Sequence, residues 1–114
     1  MAADQTKTSK TVTIPAGESV STSADLTGGA LAMLIFPTDW TPANVSFQVS
    51  ADNLAFSDLY DSSGVEVRRN VVPGSAVIID TSLTQAAMYM RLRSGPASQP
   101  KAQAADRVLT LVLI

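Results

Sequence analysis

The chain has 114 residues and a formal net charge of −2, with Lys+Arg 8 and Asp+Glu 10, and it contains neither cysteine nor histidine. Disulfide stapling and thiolate chemistry are thereby excluded, and the commonest general base and metal ligand is missing. Apolar residues reach 46% but aromatics only 5%, which points to one thin domain with an aliphatic core and no basic field to attract nucleic acid or an anionic membrane.

Residues 1–10 (MAADQTKTSK) are polar and without periodicity. They read as a flexible arm ahead of a domain spanning 11–114. The arm lacks the apolar stretch of a secretory signal, and no apolar run approaches the roughly 20 residues of a membrane-spanning helix. The chain is therefore expected to be made in the cytoplasm. Thr11–Ile14 is a short strand closed by the turn Pro15-Ala16-Gly17-Glu18, and Ser19–Ser23 is a weak second strand. Asp25-Leu26-Thr27-Gly28-Gly29 breaks the chain before the apolar run Ala30–Phe36, and Pro37–Pro42 forms a rigid loop around Trp40.

Val45–Ser50 alternates, with Val45, Phe47 and Val49 on one face. Turns at Asp52-Asn53 and Asp61-Ser62-Ser63-Gly64 flank a return strand at Phe56–Tyr60. Val65–Arg69 is expected to turn Val65 and Val67 inward and Glu66 and Arg68 outward. After Pro73-Gly74 comes Ala76–Asp80, then a single helical turn over Thr81–Ala87 with Thr81 or Ser82 as its N-cap. Met88–Arg93 sets Met88, Met90 and Leu92 inward and Tyr89, Arg91 and Arg93 outward. A long Pro- and Ala-rich loop, Ser94–Asp106, leads to the terminal strand Arg107–Ile114. Short strands at this spacing, with no long helix, define an all-β antiparallel β-sandwich or jelly roll of about eight strands.

Two strands depart from alternation. Ala30–Phe36 (ALAMLIF) and Val108–Ile114 (VLTLVLI) are apolar at almost every position. Successive strand residues point to opposite faces, so such strands need cover on both sides. A sandwich this small shields only its inner faces, so another copy or another protein is expected over the outer one. Charged residues at 16%, against about 25% in ordinary soluble domains, fit a surface contacted by neighbours.

No motif carries chemistry. Asp52, Asp58, Asp61 and Glu66 cluster around two turns, but the stretch from Asp52 lacks the ligand spacing and the glycine of a calcium loop. Turn building explains them better. Gly28-Gly29 is followed by no helix that could cradle a phosphate. Arg91 and Arg93 share a face with Tyr89, as in cross-strand or intersubunit ion pairs; a nucleic-acid reader would interleave more aromatics. Trp40 is either an exposed anchor for a sugar or a partner, or a lid over the core.

The runs VSFQVSADNLAFSDLYD and MYMRLRSG resemble the hairpin and Tyr-x-Arg strand of discoidin-like jelly rolls, where V-x-V-x-S-x-D-G-x-x-F and A-R-Y-V-R-I recur. That resemblance implies the fold and, as a minor alternative, carbohydrate binding. Along nearly the whole chain, the order TIPAGESVS, WTPANVSFQVSAD, FSDLYD, MYMRLRSG, QAADR and LTLVLI is similar to small β-sandwich structural proteins of tailed bacteriophages. This implies a virion protein, foremost a capsid cement or decoration protein and otherwise a neck or tail component. Its expected partners are copies of itself, as a homotrimer, and the major capsid protein or other virion proteins. No enzyme activity, cofactor, metal, nucleic acid or membrane is expected. Candidate contact residues are Leu31, Met33 and Ile35 on the two-sided strand, Trp40, the outer row Tyr89, Arg91 and Arg93, and Pro96, Pro100 and Lys101 in the long loop.

Overall fold

A computed structural model describes residues 7–114, and residues 1–6 of the expected arm lie outside the described part. The chain is an antiparallel β-sandwich of two sheets. Nine strands are described: β1 (Thr8–Ile14), β2 (Ala24–Asp25), β3 (Leu31–Ile35), β4 (Val45–Ser50), β5 (Ser57–Asp58), β6 (Arg68–Arg69), β7 (Ala76–Ile78), β8 (Tyr89–Ser94) and β9 (Arg107–Leu113). The first sheet has the order β1-β9-β3-β7. The second has β2-β8-β4-β5, with β6 also paired to β4. Thr8, Ser9 and Lys10, expected in the arm, pair instead with Leu113, Val112 and Leu111.

The core lies between the sheets. Val12 and Ile14 from β1, Leu31 and Leu34 from β3, and Leu109, Leu111 and Leu113 from β9 face Val45 and Phe47 of β4 and Met90 and Leu92 of β8. Burial of such side chains stabilises by about 1.5–3 kcal/mol each. Leu31 and Leu34 are three apart, yet both point inward. The register slips between Leu31 and Met33, so Ala32 is the extra residue of a bulge that resets the alternation. Below the bulge Leu34 and Phe36 face in, and Met33 and Ile35 face out.

Several local expectations are corrected. Ser19–Ser23 is not a strand: Val20 makes one bridge to Arg93, and the paired residues are Ala24 and Asp25. Val65 and Met88 are exposed, whereas Val67 is buried. The helical turn is a 3-10 turn at Thr81–Leu83 entered from Asp80, which makes no side-chain cap. The buried Thr84 follows it, and its Oγ1 donates to the Leu31 carbonyl at 2.8 Å. Trp40 is the lid: it is 2% exposed, stands edge-on to Phe36 with centroids 5.0 Å apart, and donates its Nε1 to the Ala43 carbonyl at 3.2 Å.

The long loop after β8 is fastened to its own domain. Gln103 is wholly buried; its Nε2 donates to the Thr41 carbonyl at 3.0 Å and to Ser94 Oγ at 2.7 Å. Its Oε1 accepts from the Thr41 N–H and from Arg107 Nε. Gly95 starts the loop with φ +86, where a Cβ would stand 2.6 Å from the Gln99 carbonyl oxygen. Only glycine tolerates that conformation and that approach together.

Candidate interaction surface

The two sheets treat their outer faces differently. On the first sheet the register places Ile78, Met33, Val112 and Ser9 in one row across β7, β3, β9 and β1. The next row is Ala76, Ile35, Thr110 and Thr11, and Val108 pairs with Thr13 beyond it. None of these side chains is charged. Ile78 is 69% exposed, Val108 53% and Ile35 39%, with Met33 and Val112 half-buried. This is the open side of the two strands whose sequence is apolar at almost every position. Exposed aliphatic side chains gathered on one face in this way make it the candidate interaction surface of the domain.

The outer face of the second sheet is closed by the chain itself. Arg93 is 4% exposed and lies flat under its neighbours. Its Nε donates to Ser46 Oγ at 2.9 Å, its Nη1 to Asp58 Oδ1 at 2.6 Å, and its Nη2 to Glu66 Oε2 at 3.1 Å. Glu66 Oε2 also accepts the Ala97 N–H at 2.9 Å, and Ser46 Oγ donates to the Gly95 carbonyl at 2.6 Å. Each nitrogen of the guanidinium thus donates one hydrogen bond, two of them to carboxylates, as a buried charge requires. Next to it, Arg91 stacks its guanidinium carbon 3.7 Å from the Phe56 ring centre, a cation–π contact. The Arg93 hydrogen bond holds the Asp58 carboxyl below its ordinary value.

The other carboxylates of the acidic cluster build turns. Asp52 accepts the Leu54 and Ala55 N–H groups at 2.9 and 3.0 Å, and Asp61 accepts Ser63 Oγ at 2.7 Å and the Val65 N–H at 3.0 Å. These bonds favour the ionised form, lowering Asp52 chiefly through Leu54 and Asp61 chiefly through Ser63. An apolar groove of about 480 Å³ opens beside the Asp52 turn, between Val49, Leu59, Leu83 and Met88.

The sequence candidates therefore separate. Met33 and Ile35 lie together on the open face of the first sheet. Leu31, Trp40 and Arg93 are enclosed by their own chain and have no surface to offer a partner. Tyr89 and Arg91 are half-buried on the second sheet, while Pro96, Pro100 and Lys101 sit on the loop pinned by Gln103, with Pro100 and Lys101 exposed. Sequence reasoning did not name Ile78, Ala76 and Val108, which the structure places exposed on this face. Their signal was the apolar outer register of β7 and β9, visible once those strands are aligned on β3.

No family model matches this chain, and no curated protein matches it either. Among solved structures, the SPBc2 prophage-derived protein YomS is similar over 99% of this chain and 98% of its own, with a TM-score of 0.50 at 8% identity. That likeness establishes a shared sandwich fold. CBM32-3 from a family 31 glycoside hydrolase of Clostridium perfringens is fainter, with a TM-score of 0.38 at 13% identity over 97% of this chain and 70% of that one.

Proposed function

We propose that this chain is a structural protein of a bacteriophage particle, acting as a capsid cement or decoration subunit through repeated, individually weak contacts. The observation that carries the reading is the neutral apolar outer face of the first sheet, which the domain leaves open after completing its own core. The setting is supported by the motif order along the whole sequence and by the prophage origin of a protein that shares the fold. Copies held side by side on a capsid suit such a patch, which can pair copy to copy, better than a neck or tail ring. Avidity over a lattice turns many small contacts into stable attachment, whereas closing a ring needs two different complementary surfaces on each copy.

The proposal gives the chain no catalytic role: Asp52, Asp58, Asp61 and Glu66 are occupied with turns and with Arg93. The sugar-binding alternative loses its motive residue, because Trp40 is in the core. Mass spectrometry of purified particles of the phage that encodes the chain, followed by electron cryomicroscopy, tests the reading. The chain is expected in many copies on the head. Its absence from intact, infectious particles would refute the proposal.

A further inference from the structure

We propose that the open face of the first sheet pairs with the same face of a second copy, about a two-fold axis running parallel to the strands. The inference rests on the reading of the chain as an assembly component and adds the partner and the symmetry. It begins from charge. The face itself is neutral, but the sheet end where β1 starts and β7 finishes carries one charge at each edge. Thr8 pairs with Leu113 in the inward register, so Lys7 before it falls on the outer side. Ile79 is buried at 1%, so Asp80 after it falls on the outer side at the opposite edge. Both residues are exposed.

A two-fold axis along the strands lays the β1 edge of one copy over the β7 edge of the other. Lys7 then meets Asp80 of the second copy, and the same contact recurs at the other corner. An in-plane axis across the strands would instead set Lys7 over the Pro15 turn, where Glu18 could face it, but would leave Asp80 without an opposite. Of the other carboxylates at that end, Asp106 accepts the Ala16 N–H at 2.7 Å and Asp39 accepts from Arg107 at 2.9 Å. The strand-parallel axis also matches the rows. Met33 lies over Val112 of the second copy, Ile35 over its Thr110, and Ile78 over its Ser9. Facing sheets pack in this near-aligned way about 10 Å apart.

Area sets the strength. Each outward position covers about 33 Å² of sheet, so the face and its margin supply only about half of the roughly 800 Å² per partner of a standard interface. The pair is therefore weak in free solution, becoming populated at about 100 µM, and is reinforced where copies are held at high local concentration. One self-complementary patch gives an isologous dimer and not the closed trimer expected from the sequence.

Sedimentation equilibrium of the full chain, up to about 1 mM, tests the pairing. A monomer–dimer equilibrium is expected. Ile78→Asp should weaken it by at least about tenfold by burying an unpaired charge. Lys7→Asp and Asp80→Lys should each weaken it by about three- to tenfold, and the double exchange should restore it to within about twofold. Circular dichroism melts of each variant establish that it is folded. A wild type that stays monomeric to 1 mM, a trimer, or a dimer indifferent to both Ile78→Asp and the charge exchange would overturn the pairing. Particle binding by the same proteins is read separately. Binding by an obligate monomer sinks the pairing alone, and a two-fold dimer that ignores particles sinks the virion reading alone.

Discussion

The outer faces of the two sheets began with the same difficulty and reached opposite solutions. In the second sheet, β8 turns Arg93 outward between Ser46, Asp58 and Glu66, and the Gly95 loop folds over it. Its polar residues find their partners within the chain. In the first sheet, β3 and β9 turn Met33, Ile35, Val108 and Val112 outward, and nothing in the described chain lies over them. A directional polar network fixes its own geometry and can be completed by a short loop. An aliphatic face has no such specificity and needs area, which only another sheet-sized surface supplies. The contrast separates a face that the domain completes by itself from one that it leaves open to solvent.

The comparison can be broken in graded ways. The largest effect is expected at the inner face: Leu111→Asp or Leu34→Asp buries an unpaired charge and should cost more than about 4 kcal/mol. Urea denaturation measures this, and a stably folded variant would show that those positions are not core. Next, Arg93→Ala strands Glu66 and part of Asp58 and should cost about 3 kcal/mol, at the low end for a buried pair because the Asp58 side chain is 37% exposed. Adding Asp58→Asn and Glu66→Gln to Arg93→Met should recover much of that loss in the same assay, as removal of the whole charge cluster leaves nothing unpaired.

Acid should produce a smaller loss. Asp25, Asp52, Asp58 and Asp61 are all held below 3.8 in the folded chain, Asp25 first by Thr27 Oγ1 and Asp58 first by Arg93. Their contribution is complete above the unfolded value and is lost as pH falls through the lower folded values. The melting temperature should be flat between about pH 5 and 8 and should fall below about pH 4. A fall already evident at pH 6 would contradict the assignment, since the chain has no histidine to titrate there. The smallest effect on stability belongs to Ile78→Asp, within about 0.5 kcal/mol, because the side chain touches mainly water in the isolated domain.

The strand order of polarity made the sandwich legible. Alternation located β4 and β8, and its failure located the two strands with an outer apolar face. The bulge at Ala32 was not legible, because ALAMLIF is apolar in either register and only pairing with β9 decides which residues face in. Arg93 read as an outward charge, and Arg107 only as the start of the last strand. Their burial depends on Asp58, Glu66, Asp39 and Gln103, which lie far away in sequence. Gln103 itself sits in a polar loop with no local sign that it fills the end of the core. Trp40 was ambiguous until Phe36 was found against it. On the open face, Met33 and Ile35 were named only together with Leu31, which the sheet order shows to be buried, and Ile78 and Val108 required that order as well.

Methyl NMR of the full chain across a concentration series tests most directly whether the first sheet's outer face is the contact surface. The methyl signals of Ile35, Ile78, Val108 and Val112 should shift together as concentration rises, while those of Leu34, Leu111 and Leu92 stay fixed. Signals from that face that remain unmoved to millimolar concentration, or shifts confined to the Arg93 side of the molecule, would contradict the account.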